Sequence, residues 1–211
     1  MNGQCRLCAI ILAAGASSRM GRDKALLPWP PESQTGTLLS AAIRALKPFA
    51  QTIIVVAGEN NHALAPVAEA HGAIVVRNPA PQNGQFSSMQ TGLRAALDRG
   101  CGAVMITPVD CPPLSAASLE KLCAHFQQAQ ARGVWAVAPE HNGRRGHPLF
   151  AGRDLIKAAL DAPVVSSARE VSRAHAAKFE YLAVPDPFLA VDVNTPEEYE
   201  ALARKTTAPS V

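Results

Sequence analysis

An apolar run, Leu7 to Leu12, leads straight into the segment Leu12-Ala13-Ala14-Gly15-Ala16-Ser17-Ser18-Arg19-Met20-Gly21-Arg22-Asp23-Lys24, and no other stretch restricts the fold as strongly. The run reads as a buried strand. It ends in small residues, two glycines and the cations Arg19 and Lys24. Small residues let backbone N–H groups approach an anion closely, and cations grip it. A strand opening into such a loop suits a nucleoside triphosphate. Spacing excludes two common versions. A P-loop has four residues between its glycines, then Lys and Ser/Thr at once. Here five residues separate Gly15 from Gly21, and Lys24 is followed by Ala25. The G-x-G-x-x-G fingerprint of dinucleotide sites is absent.

The rest of the chain supplies an α/β frame. Short β-branched runs at 8–13, 53–57, 74–76 and 104–107 alternate with helical stretches at 37–46, 61–71, 87–97 and 115–132. Ser115 reads as an N-cap of the last, and Ser87 as an N-cap of the third. The pattern then changes: a strand at 134–138, a turn at Asn142-Gly143, a strand at 147–150, helices at 152–161 and 168–175, strands at 179–184 and 189–193, and a helix over 196–205 opened by Thr195-Pro196. Repeated β-α-β units imply a parallel sheet with helices on both faces, and the late hairpin implies a mixed edge. Pro28–Gly36 reads as a surface loop near the site.

With 211 residues the chain suits one substantial core, a single domain over 1–211. Hydrophobic residues at 48% and charged ones at 18% fit a globular chain. A net charge of +3, with scattered Lys and Arg, argues against a nucleic-acid partner. No run approaches the roughly 18 apolar residues of a membrane helix. Arg6 followed by Leu7–Ala16 resembles a signal peptide only superficially, because the run is short and contains Gly15, so a cytoplasmic location is expected. Cys5-x-x-Cys8 looks like half of a redox or zinc site with no second pair to complete it. The five cysteines, Cys5, Cys8, Cys101, Cys111 and Cys123, are expected as buried thiols. His125, His141 and His175 lack partners at metal-ligand spacing and are expected at the surface.

In open α/β sheets, ligands bind beyond the carboxyl ends of the strands. That rule selects Ala14–Lys24, then Asn78-Pro79 with Gly84–Ser88, then Asp110-Cys111-Pro112-Pro113, and finally Arg144–His147 and Asp192–Asn194, all expected on one rim. Asp110, ending a buried run, is the strongest single candidate for Mg²⁺, a hard ion that prefers oxygen ligands, although an Asp there also suits a turn cap. Asp192 and Asn194 offer further oxygens, although Asn194-Thr195-Pro196 also reads as a plain helix start. Gly84 would let backbone approach a flat base, and Ser88 would hydrogen-bond its edge. Arg145 and His147 suit an acidic co-substrate or a plain basic turn. A triphosphate carries about −4 near neutral pH, which Arg19, Lys24 and one Mg²⁺ nearly balance.

The first loop matches every fixed position of the L-A-A-G-x-S-x-R-M-G-x-x-K signature of nucleotidyltransferases. With Gly84–Leu93, Asp110-Cys111-Pro112, Arg145-Gly146-His147-Pro148 and Asp192–Glu198 in order, the chain resembles the molybdopterin nucleotidyltransferase family, in its cytidylyltransferase branch. The resemblance spans residues 8 to about 200. It implies a Rossmann-like, GT-A type three-layer α/β/α fold with a mostly parallel mixed sheet. It also implies transfer of CMP from CTP to the terminal phosphate of molybdopterin or the molybdenum cofactor, with a client molybdoenzyme of the xanthine dehydrogenase type. Ala14 stands where the guanylyl branch has glycine, hence CTP. The implied roles are catalytic for Lys24, Arg19 and Asp110; nucleotide-binding for Leu12, Ala13, Ala14, Gly15, Gly21, Asn78, Gly84 and Ser88; and acceptor-binding for Arg145 and His147. Mg²⁺ would lie on Asp110 with Asp192 or Asn194; many relatives carry aspartate where this chain has Asn194. Rival expectations are a cytidylyl or nucleotidyl transferase for a sugar or alcohol phosphate, and a non-catalytic chaperone for the cofactor.

Overall fold

The structure is a computed structural model that describes residues 7–18, 20–189 and 191–207. Its centre is an eight-stranded mixed sheet. The strands are β1 (Leu7–Ala13), β2 (Thr52–Ala57), β3 (Ile74–Arg77), β4 (Ala103–Pro108), β5 (Ala136–His141), β6 (Arg144–Arg145), β7 (Leu149–Gly152) and β8 (Phe179–Ala183). The helices are α1 (Leu38–Leu46), α2 (Asn61–Ala70), α3 (Gln85–Asp98), α4 (Ala116–Ala131), α5 (Arg153–Asp161), α6 (Ala168–Ala174) and α7 (Pro196–Thr207). None of the described helices is long and apolar enough to cross a membrane.

The strand order is β3-β2-β1-β4-β7-β5-β6, with β8 on the other side of β5. Strands β1 to β4 run parallel, and β8 runs parallel to β5. Strand β7 is antiparallel to both β4 and β5, so the reversed strand lies inside the sheet and not at the edge expected for the hairpin. Strand period 2 divides β1 between two cores. Ala9, Ile11 and Ala13 meet α1, α2 and α4 through Leu39, Ile43, Leu64, Leu122 and Phe126. Cys8, Ile10 and Leu12 meet α3 and α5 through Met89, Leu93, Leu155 and Ile156. This is a Rossmann-like three-layer α/β fold. Gly92 allows the close approach of α3, since a Cβ there would lie 2.6 Å from Ile10 Cγ2 and 3.0 Å from Val56 Cγ2.

Several expectations are corrected. Helix α3 begins at Gln85, and its N-cap is Gly84; Ser87 lies inside the first turn and donates to Gly84 O at 2.8 Å. The described residues of 189–193 form no strand. Leu189 N bonds Asp186 O in a turn, and Val193 N reaches across to Asp110 O at 2.9 Å, so this backbone pairs with loops. The proline-rich loop is not merely superficial. Trp29 is buried edge-on against Phe188, and Tyr199 Oη donates to Pro28 O. With Met20, Leu27, Leu38 and Val193 these rings form a third core that ties the rear of the first loop to α7. Cys8 and Cys101, on β1 and the segment entering β4, are joined in a disulfide and are not free thiols; they lie 93 residues apart in the chain, and only the β1–β4 pairing brings them together. Cys111 and Cys123 are free, and Cys5 lies outside the described residues. His125 is half-buried against Glu180, and His175 stacks on Trp135, so neither stands apart at the surface.

Candidate active site

The chain leaves β1 for β2 and β3 on one side and later returns to add β4 on the other. The crevice therefore opens between the ends of β1 and β4, where strand order reverses. Val109 N bonds Leu12 O at 3.0 Å, which holds the two strand exits side by side. A cleft of about 220 Å³ opens there, walled by Leu12–Gly15, Ser17, Asp23, Lys24, Pro81, Gly84, Gln85, Ser88 and Pro108–Asp110. Fragments 70 to 100 residues apart thus share one wall.

The first loop is braced from within. Ser17, at φ 49°, accepts from Lys24 N through Oγ and from Met20 N through its carbonyl. Asp23 caps the short turn at Lys24 by accepting from Ala25 N at 2.9 Å, and it also accepts from Asn60 Nδ2. That same Asn60 amide donates to Ala13 O, while its Oδ1 accepts from Gly58 N. Gly58 has no room for a side chain, because a Cβ would lie 2.8 Å from Ala14 O. Asn60 is a functional support that sequence reading missed, since nothing in its local pattern marks it. A Cβ on Gly15 would meet no atom of the described residues within 4 Å, so the space beside it is open to a ligand. Gly21, at φ 69°, lines the outer extension of the cleft with Gly15, Ser17 and Asp23 and does not touch the inner cleft. Arg19 lies outside the described residues.

Lys24 and Asp110 meet directly. Lys24 Nζ lies 3.1 Å from Asp110 Oδ2 and 2.8 Å from Asn194 Oδ1, and the two charged side chains are 12% and 25% exposed. Asn194 is presented by the start of α7, where Glu198 accepts from Asn194 N and Thr195 N. Asp192 is placed differently. Cys111 donates its thiol to Asp192 Oδ1 at 3.1 Å, and burial, followed by the Asp192 charge, holds that thiol protonated far above the usual range. Asp192 also lines a second pocket of about 360 Å³ with Arg144, Arg145, Gly146, His147 and Leu189. So Asn194, the amide, shares Lys24 with Asp110, while Asp192 faces the hairpin.

Arg145 lays its guanidinium over the Tyr181 ring, 3.8 Å from the centroid. Gly146 packs against the Leu189 carbonyl and side chain with no room for a Cβ. His147 Nδ1 is buried and unpartnered among the described residues. Burial holds its imidazole below the usual histidine range, opposed by a backbone hydrogen bond to Ile106 and the charges of Asp192 and Asp110. Gly84 sits at φ 88°, ψ −179°, a conformation open essentially to glycine alone. Asn78 lies behind the wall and not on it. It is buried, and its amide bonds Ser87, Ser88 and Ala80. Gln85, selected within the Gly84–Ser88 segment but given no role of its own, is an exposed residue of the wall.

No group of three or more His, Cys, Asp or Glu gathers to chelate an ion among the described residues. Asp110, Asp192 and Asn194 are nevertheless all hard oxygen donors. Such a partial set fits Mg²⁺, which usually takes one or two carboxylates and completes its sphere with waters and substrate phosphates.

Comparison with known proteins agrees with this architecture. The chain is 27% identical over 191 residues, 90% of its length and 92% of the relative's, to the molybdenum cofactor cytidylyltransferase of Escherichia coli (strain K12). It is 28% identical over 205 residues, 97% of its length and 98% of the relative's, to a probable molybdenum cofactor guanylyltransferase of Mycobacterium avium. A nucleotidyl transferase structure from Methanothermobacter thermautotroptrophicus superposes with a TM-score of 0.76 at 22% identity, covering 94% of this chain and 96% of the other. Residues 9–179 match the MobA-like NTP transferase domain, and with that match over most of its length the chain belongs to the MobA-like nucleotidyltransferase family.

Proposed function

We propose that the protein transfers CMP from CTP to the terminal phosphate of molybdopterin, or of the molybdenum cofactor, and releases pyrophosphate. One observation carries this reading: Lys24, at the end of the nucleotide loop, is held by Asp110 and Asn194 at the mouth of a cleft walled by Leu12–Gly15. A phosphate oxygen of the acceptor attacks the α-phosphorus. The bond from that phosphorus to the bridging oxygen of the β-phosphate breaks, and pyrophosphate leaves with the electron pair. The attacking phosphate, with a second pKa near 6, is ionised near neutral pH, so no general base is needed. Catalysis reduces to alignment and charge stabilisation. Lys24 stabilises charge on the α-phosphate, Arg19 grips the β- and γ-phosphates, and the open space beside Gly15 admits them. Arg144, Arg145 and His147, which line one pocket with Asp192, suit an anionic acceptor.

Asp110, with Asn194 or Asp192 as the second oxygen ligand, would hold Mg²⁺, which supplies neutralisation of phosphate charge when bound. The preference for CTP rests on Ala14, a cleft-wall residue that stands where the guanylyl branch has glycine; a methyl there would leave less room for a two-ring base. The test is incubation with molybdenum cofactor, Mg²⁺ and each α-labelled nucleoside triphosphate in turn. Attachment of the cytidine label with pyrophosphate release is expected. Attachment of the guanosine label overturns the base assignment, and attachment of none overturns the transfer reading.

A further inference from the structure

Asn78 Oδ1 accepts from Ala80 N at 3.0 Å. A backbone N–H can only donate, so the orientation of this amide is determined. Nδ2 therefore faces Ser87 Oγ and Ser88 Oγ, each at 2.9 Å. An amide nitrogen has two protons and no acceptor capacity, so both hydroxyls must accept from it. Ser87 passes its own proton to Gly84 O at 2.8 Å, with Ala80 O at 3.2 Å. Ser88 finds no acceptor for its proton among the described residues, and it lines the nucleotide cleft.

We propose that Asn78 is a positioning residue that makes Ser88 an obligate hydrogen-bond donor into the cleft, so that the nucleobase must present an acceptor there, a ring carbonyl oxygen or an unprotonated ring nitrogen. This inference rests on the nucleotide reading above and deepens it. A base that turns an N–H group to the same point leaves two donors face to face, which discriminates by loss of a hydrogen bond and not by size. The source of the constraint is the Ala80 backbone, two positions from Asn78 and outside the cleft wall.

The test is calorimetric titration of CTP, with Mg²⁺, into the wild type, Ser88→Ala, Asn78→Asp and the double variant. A carboxylate at position 78 accepts from Ala80 N–H and from both hydroxyls, which turns the Ser88 proton inward. Each single substitution is expected to weaken CTP by about three- to tenfold, the worth of one hydrogen bond. The double variant is expected to match Ser88→Ala within about twofold, because the two changes remove the same bond. Additive losses, the signature of plain charge repulsion by the new carboxylate, overturn the inference, as does wild-type affinity in Asn78→Asp. Should that variant not fold, the Asn78 side-chain amide resonances decide. Ser87→Ala and Ser88→Ala must each move a different one of the two protons, and CTP must move the one facing Ser88. Silence of both protons to Ser88→Ala overturns the inference. Failure of the wild type to bind CTP sinks the nucleotide reading itself, whereas loss of coupling with wild-type binding intact sinks only the role of Asn78.

Discussion

Replacing Lys24 by methionine keeps an unbranched side chain only one atom shorter and removes its charge. The structure separates the consequences for folding from those for chemistry. At 3.1 Å from Asp110, the ammonium–carboxylate attraction is about 5 kcal/mol gross at an effective dielectric near 20. Little of this is net stability. Asp110 keeps 25% of its side chain exposed, so water takes over much of the lost contact, and the folding cost is about 1 kcal/mol. For a chain of this size that lowers the melting temperature by about 2–4 °C. The transition state has no such substitute. Charge growing at the α-phosphate inside the cleft loses a fixed cation, a loss of about 3–4 kcal/mol, or about 100- to 1,000-fold in kcat. The assay is pyrophosphate release at saturating CTP, molybdenum cofactor and Mg²⁺, run beside a thermal melt. A kcat within about threefold of wild type refutes the assignment of Lys24. So does a melting temperature that falls far enough to account for the lost activity, because the residue would then be structural.

Ala14→Gly widens the cleft wall and should raise kcat/KM for GTP relative to CTP by about tenfold, the worth of one methyl in a base pocket; an unchanged ratio moves specificity elsewhere. Gly84→Ala forces a side chain into a glycine-only conformation and should cost about 1–3 kcal/mol in urea unfolding while weakening nucleotide binding. His147 is held neutral by burial, below its ordinary value of 6.5. As pH falls, the unfolded chain takes up this proton before the folded one, so folding stability declines from about pH 6.5 downward until the buried imidazole itself protonates. His147→Gln cannot take up that proton, and urea midpoints at about pH 5 and pH 8, without divalent ions, should lie closer together in the variant than in the wild type.

How much was legible varied with the range of the physics. The hydrophobic runs of β1, β2 and β4 marked the buried strands, because burial on both sheet faces demands continuous apolar residues whatever the neighbours. Ser115 capped α4 as expected, accepting from Ser118 N, since a cap involves only the first turn. Ser87 misled for the same reason: it suits a cap, but Gly84, at φ 88°, turns the chain early enough for the helix to start ahead of it. The β7 insertion was hidden, since a short strand carries no mark of which neighbours it will pair with. Residues 189–193 had strand-like composition, yet Leu189, Val191 and Val193 donate their backbone N–H groups to Asp186, Phe188 and Asp110.

The order of residues alone determined that a strand would end in a small-residue, cation-bearing loop near the start of a wound sheet, and that Asp110 would lie past a neighbouring strand. Those features follow from steric and hydrophobic preferences that act over a few residues. Tertiary structure alone decided that Asn194 and not Asp192 shares Lys24, that Asn78 stands behind the wall with its amide orientation imposed by Ala80, and that Cys8 meets Cys101. Each is a choice among partners distant in the chain or rivals within one short segment. Hydrogen-bond geometry discriminates among them only once packing has brought every candidate within reach.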